Sequence, residues 1–102
     1  MSTRCVITFK DDQLNSHSIY RHSDGYPDGP HGVMASFEAA KPFAWMLPRF
    51  EADDFGAAYL AANKKGPGNY RLSNGPDEHA DIAYHYIVTC RDGDLHIETI
   101  AL

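Results

Sequence analysis

Thirteen consecutive residues, Tyr20-Arg21-His22-Ser23-Asp24-Gly25-Tyr26-Pro27-Asp28-Gly29-Pro30-His31-Gly32, hold one Arg, two His, two Asp, two Tyr and a Ser. Arg21 can fork onto a phosphate or carboxylate through parallel N–H groups. Tyr20 or Tyr26 can stack on a base or ring. His22 with Asp24, or His31 with Asp28, has the composition of an acid–base pair. Gly29 and Gly32 allow the backbone to approach a ligand closely. The stretch runs from a strand end into a helix start, where unpaired N–H groups and the helix dipole favour an anion. The candidate ligand-binding set is therefore Tyr20, Arg21, His22, Asp24, Tyr26, His31 and Gly32, expected to converge on one concavity. A plainer use of the same residues is turn chemistry, with Asp24 capping backbone and Arg21 paired to it at the surface. An Arg21 exposed in that way contributes little to stability.

Covalent catalysis finds little support. The chain has no Gly-x-Ser-x-Gly elbow, no Gly-rich phosphate loop with its Lys, and no catalytic Cys context. Ser23 follows His22 directly, and neighbours on a strand point to opposite faces, which counts against a Ser–His dyad. No residue is assigned a catalytic role, and the reading leans away from an enzyme. His22, His31, His79, His85 and His96 fall at no recognisable ligand spacing. Neither Cys5 nor Cys90 has a Cys or His three residues away. No metal and no cofactor are expected. Both cysteines lie in strand-like runs, where a free thiol packs as a small hydrophobe, at least half buried.

The elements that must position the motif follow from periodicity. Cys5, Ile7 and Phe9 share one face of a strand over 5–10, and 17–22 reads as its hairpin partner across a polar turn. Residues 24–32 are loop, with three Gly and two Pro in nine positions between Asp24 and Gly32. Val33 to Lys41 reads as a short helix stopped by Pro42. The apolar segment from Phe43 to Phe50, between Pro42 and Pro48, is expected as a buried irregular connection or a single turn, with Phe43, Trp45 and Phe50 in the core. A second helix starts near Asp53 and Asp54, which suit the positive end of its dipole, and ends at Lys64-Lys65-Gly66. Gly66-Pro67-Gly68 is a break before a short strand at Tyr70–Leu72. Residues 82–90 form a long strand, and Asp92-Gly93 turns it into a last strand carrying Leu95, Ile97 and Thr99. The order is β-β-α-α-β-β-β. Hairpins at both ends with helices between them give an α+β fold, an antiparallel sheet of about five strands with two helices on one face.

Composition bounds the rest. At 102 residues the chain is one domain, spanning 1–102. Hydrophobic residues make up 43% and aromatics 12%, which supports a core and excludes intrinsic disorder. Fourteen acidic against nine basic residues give a net charge of −5, and no basic run exceeds Lys64-Lys65. Non-specific nucleic-acid binding, which needs a basic stripe, is excluded as a function. The longest apolar stretch falls far short of the roughly 20 residues of a membrane span, and the N-terminus shows no signal-peptide core. The chain is expected to be soluble and cytoplasmic, with no membrane partner. Acidic residues Asp53, Asp54, Asp77, Glu78 and Asp81 form a solvated face or imitate nucleic-acid charge towards a basic protein. An exposed Trp45 patch, if formed, would dock on another protein or on a second copy as a homo-oligomer.

Tyr20-x-His22-x-Asp24-Gly25-Tyr26-Pro27 followed by Gly32, with Asp81-Ile82-x-Tyr84-x-Tyr86-x-Val88 downstream, resembles a widespread family of small uncharacterised prokaryotic and phage proteins. That family runs Tyr-x-His-Trp-Asp-Gly-Tyr-Pro, a Gly a few residues on, a helical middle, and a closing Asp-Ile-(Glu)-Tyr-x-Tyr strand. Ser23 stands where the family usually has Trp, and Ala83 where it often has Glu. A pocket built on those two side chains would take a different ligand here. The resemblance implies no established activity. Its phage association implies proteins that act in the host cytoplasm against host defences, as protein inhibitors or as sponges for nucleotide signals. The leading expectation is a non-catalytic phage-type binding protein that inhibits or sequesters a host-defence component, a nucleotide-like small molecule or a defence protein, through residues 20–32. Two alternatives are a small hydrolase or transferase on a nucleotide-like substrate, using His22, Asp24 and Arg21, and an anti-CRISPR-type inhibitor using the acidic surface and Trp45.

Overall fold

A computed structural model describes residues 3–66 and 68–102. Met1, Ser2 and the Pro67 of the expected break lie outside the described residues. Strand β1 (Cys5–Lys10) buries Cys5, Val6, Ile7, Thr8 and Phe9, so it is covered on both faces. It forms an antiparallel hairpin with β2 (Ser16–Arg21), in which Cys5 faces Arg21 and Ile7 faces Ile19. Helices α1 (Val33–Ala40) and α2 (Ala52–Asn63) follow. The chain returns through β3 (Tyr70–Ser73) and a single 3-10 turn, Pro76–Glu78, to the closing hairpin of β4 (Tyr84–Arg91) and β5 (Asp94–Ala101).

The result is the expected α+β order, a five-stranded sheet arranged β3-β2-β1-β4-β5. Its two hairpins meet through a parallel pair, β1 with β4, so the sheet is mostly rather than wholly antiparallel. Strand alternation puts Ile7, Phe9, Arg21, Tyr70 and Tyr86 on the face that carries the helices. Phe9 packs edge-on to Phe37 of α1 and tilted against Phe55 and Tyr59 of α2. A Cβ at Gly56 would come within 3.6 Å of the Phe9 ring, which is how closely α2 lies on β1. The opposite face is crossed by the connection from β3 to β4. There His79 stacks on Tyr20, with centroids 4.3 Å apart.

The segment between the helices departs from expectation. Phe50 packs on Phe55, but Phe43 and Met46 are 61% and 87% exposed, and Trp45 is exposed with Arg49 laid over its ring. Pro42 and Pro48 punctuate a stretch too short to form a helix that could turn an apolar face inwards. Cys5 is fully buried, Cys90 partly, and both thiols are free. Among the described residues no helix is long and apolar enough to cross a membrane.

Candidate functional site

Arg21 closes β2 on the helix-bearing face and is only 4% exposed, which corrects the expectation of a surface arginine. Its Nε donates to the Ser23 carbonyl at 2.8 Å and one terminal nitrogen to the His31 carbonyl at 2.8 Å. These bonds tie together the two ends of the motif loop. The other terminal nitrogen reaches the Tyr59 hydroxyl at 3.4 Å, and the guanidinium lies over the Tyr70 ring, 5.2 Å from its centroid. No ion pair among the described residues includes Arg21, so the surface pair with Asp24 is not what holds it. The charge is felt nonetheless. It acts to lower the pKa values of Cys5, Tyr59, Tyr70 and Tyr86, although burial outweighs it and all four stand above their ordinary range.

The loop itself is built by close backbone approach. Gly25 N–H donates to the Thr3 carbonyl, its own carbonyl accepts from the Tyr86 hydroxyl at 2.6 Å, and a Cβ there would sit 2.8 Å from Thr3 O. A Cβ on Gly32 would fall 2.4 Å from the Asp28 carbonyl oxygen, so only glycine fits where the loop enters α1. Asp24 adopts φ of 57°, a left-handed conformation that Asp tolerates better than most residues. At the start of α1 the Val33 and Met34 N–H groups are not left for an anion. They donate to the Tyr26 and Pro27 carbonyls at 2.9 and 3.1 Å.

The seven candidate residues do not converge on one concavity. Arg21, Asp24, His31 and Gly32 line a cleft of about 200 Å³ between α1 and the end of α2. Tyr20 and His22 belong to the opposite face of the sheet, where the Tyr20 hydroxyl bonds to His22 Nδ1 at 2.9 Å. Asp24 lines the cleft on the helix side instead, and among the described residues no hydrogen bond joins it to His22. Tyr26 packs near Gly29 and stays outside the cleft. The split follows from strand alternation, which sends Tyr20 and Arg21 to opposite faces.

Sequence reasoning missed Ser36, Tyr59, Asn63 and Tyr70. Ser36 Oγ and Tyr59 Oη lie 2.8 Å apart beneath the cleft, and Asn63 Nδ2 donates to the Ser36 and Tyr59 carbonyls. Ser36, Asn63 and Tyr70 also line the cleft. Tyr59 carries a helical-spacing signal that reads equally as core, and nothing in sequence marks Asn63 beyond a helix end. On the far side Ser73 Oγ lies 3.0 Å from His79 Nε2, but it also contacts Glu78 and the Gly75 backbone as a turn does. Among the described residues no group of three or more His, Cys, Asp or Glu side chains is placed to hold a metal ion. Comparison with family models, curated proteins and solved structures finds no match.

Proposed function

We propose that this chain is a non-catalytic binding protein that seats the anionic group of a nucleotide-like small molecule in the cleft over Arg21. The observation that carries the reading is a buried guanidinium with no carboxylate partner among the described residues, lining a solvent-reachable cleft. Buried charges are normally paired, and here carbonyls, a hydroxyl and a tyrosine ring satisfy the guanidinium's geometry, while Asp24 lines the same cleft without forming an ion pair with it. A cleft of about 200 Å³ is smaller than the roughly 300–1,000 Å³ of a whole ligand site. It suits a phosphate or carboxylate group, with the remainder of the molecule lying along Pro30, His31 and Ala39. A host-defence role as a sponge for such a molecule rests on the family resemblance of the motif loop.

The test is titration of the isotope-labelled chain with inorganic phosphate, a nucleoside monophosphate and a cyclic dinucleotide. Expected are shifts confined to Arg21, His31, Ala39, Asn63 and Tyr70, with a nucleotide binding more tightly than phosphate. Ala39→Trp fills the cleft from an exposed helix position and should abolish binding at unchanged melting temperature. Absence of binding by all three probes, or binding indifferent to Ala39→Trp, would overturn the reading. Turnover of the nucleotide would transfer the site to the hydrolase or transferase alternative.

A further inference from the structure

The two edges of the sheet are built differently. Strand β3 has four residues and is closed off within two positions by Gly75-Pro76. Strand β5 has eight residues, Asp94-Leu95-His96-Ile97-Glu98-Thr99-Ile100-Ala101, with no Gly, Pro, Lys or Arg. It keeps unbroken register with β4, from Tyr84 opposite Ala101 to Arg91 opposite Asp94. Natural sheets blunt an exposed edge with short strands, Pro, bulges or charged side chains, Lys above all. β5 has no Pro, no Lys and no break in its register, and its charged residues are Asp94 and Glu98.

Which backbone groups β5 offers can be worked out from its end. The Leu102 N–H donates to the Ala83 carbonyl at 2.9 Å, so Leu102 turns its backbone towards the β4 side. Antiparallel ladders alternate, so Ile100, Glu98 and His96 also face β4, while Leu95, Ile97, Thr99 and Ala101 face outwards. Leu95 N–H is taken by the Asp94 carboxylate at 2.8 Å, as an outward donor can be. Side chains alternate as well: His96, Glu98 and Ile100 stand on the open face, Leu95, Ile97 and Thr99 on the helix-bearing face.

We infer that β5 pairs antiparallel with β5 of a second copy of this chain, with Ile97 opposite Ile97, giving a continuous ten-stranded sheet. This register is selected by the pairing of His96 with Glu98, a hydrogen-bond donor against a carboxylate. It sets His96 opposite Glu98 of the other copy twice, in the non-hydrogen-bonded pairs where side chains approach most closely. A slip of one pair one way sets Glu98 against Glu98. A slip the other way sets Asp94 against Glu98. Between these like-charge arrangements only the Ile97-centred register is self-complementary, and a two-fold axis through it makes the interface isologous. On the helix-bearing face it brings Ile97 onto Ile97 and Leu95 onto Thr99.

Sedimentation of the full chain up to about 1 mM, the weak end of specific association, should show a monomer–dimer equilibrium. His96→Glu should weaken the dimer about tenfold. The exchange His96→Glu with Glu98→His restores the His–Glu pairs in the same register and should return the dimer to its original strength. Thr99→Pro removes an outward N–H without costing β4 a bond, which an edge strand accepts. It should leave the far-UV spectrum and melting temperature of the monomer unchanged and abolish the dimer. A chain monomeric throughout, a dimer indifferent to His96→Glu or to Thr99→Pro, or an exchange that fails to restore association would each overturn the proposal.

Discussion

At the scale of single residues, burial decides what the ionisable groups can do. Cys5 is fully buried beside Arg21, and desolvation pushes its thiol up to about 12 despite the opposing pull of the guanidinium. A thiol held protonated in that way is not a nucleophile at neutral pH. The linkage has a definite sign. In the unfolded chain the thiol ionises near its ordinary value of 9.0, while the folded chain keeps the proton until about 12. The contribution of Cys5 is therefore complete below pH 9 and is lost progressively as pH rises from 9 towards 12. Urea unfolding at a series of alkaline pH values should show stability falling through that window. Cys5→Ala should lessen the early part of the fall and leave the parts due to the Cys90 thiol and the phenols of Tyr59, Tyr70 and Tyr86, which burial also raises. Equal slopes for the two proteins would contradict the assignment.

At the scale of elements, one hydroxyl joins three of them. The Tyr59 hydroxyl on α2 meets Ser36 on α1 and Arg21 on β2, so it fixes how both helices sit over the floor of the cleft. Tyr59→Phe keeps the ring and its contacts with Phe9 and Phe37 but takes the hydroxyl partner from one Arg21 nitrogen, while the Ser36 hydroxyl keeps its bond to the Val33 carbonyl. An unsatisfied buried polar group costs about 1–3 kcal/mol, and denaturant unfolding should show a loss of that size. The connection between the helices behaves in the opposite way. Phe43 is 61% exposed, so Phe43→Ser should change stability by less than about 0.5 kcal/mol. Had this segment been the buried connection its hydrophobicity suggests, that substitution would cost roughly 3 kcal/mol or more.

At the scale of the whole molecule, the sheet has a centre and two unequal edges. β1 lies between β2 and β4, and its residues from Cys5 to Phe9 are buried on both faces. Opening it requires separating both hairpins and both layers. β3 has a single strand neighbour and four residues, of which Arg71 and Leu72 are exposed. Hydrogen exchange should therefore protect the amides of Val6 to Phe9 up to the free energy of global unfolding, while β3 exchanges through local opening. Comparable protection in the two strands would show that the parallel joint between the hairpins is not the most stable part of the fold.

The element order and type were legible because they rest on local chemistry. Alternation in Cys5–Phe9, Pro42 after a helical run, and Asp92-Gly93 between two β-type stretches each act within a few residues. The density of the Tyr20–Gly32 loop was legible for the same reason, but Gly32, expected to let a ligand approach, instead makes room for the Asp28 and Pro27 carbonyls of its own chain. What only the tertiary structure decided is which of those residues face one another. Strand pairing sent Arg21 to the helix side and Tyr20 with His22 to the other. The second helix then supplied Tyr59 and Asn63 from some forty residues away in sequence. The parallel pairing of β1 with β4, the burial of Arg21 and the exposure of Phe43 depend on which layers cover which faces. That is a property of packed surfaces, and no local window of sequence contains it.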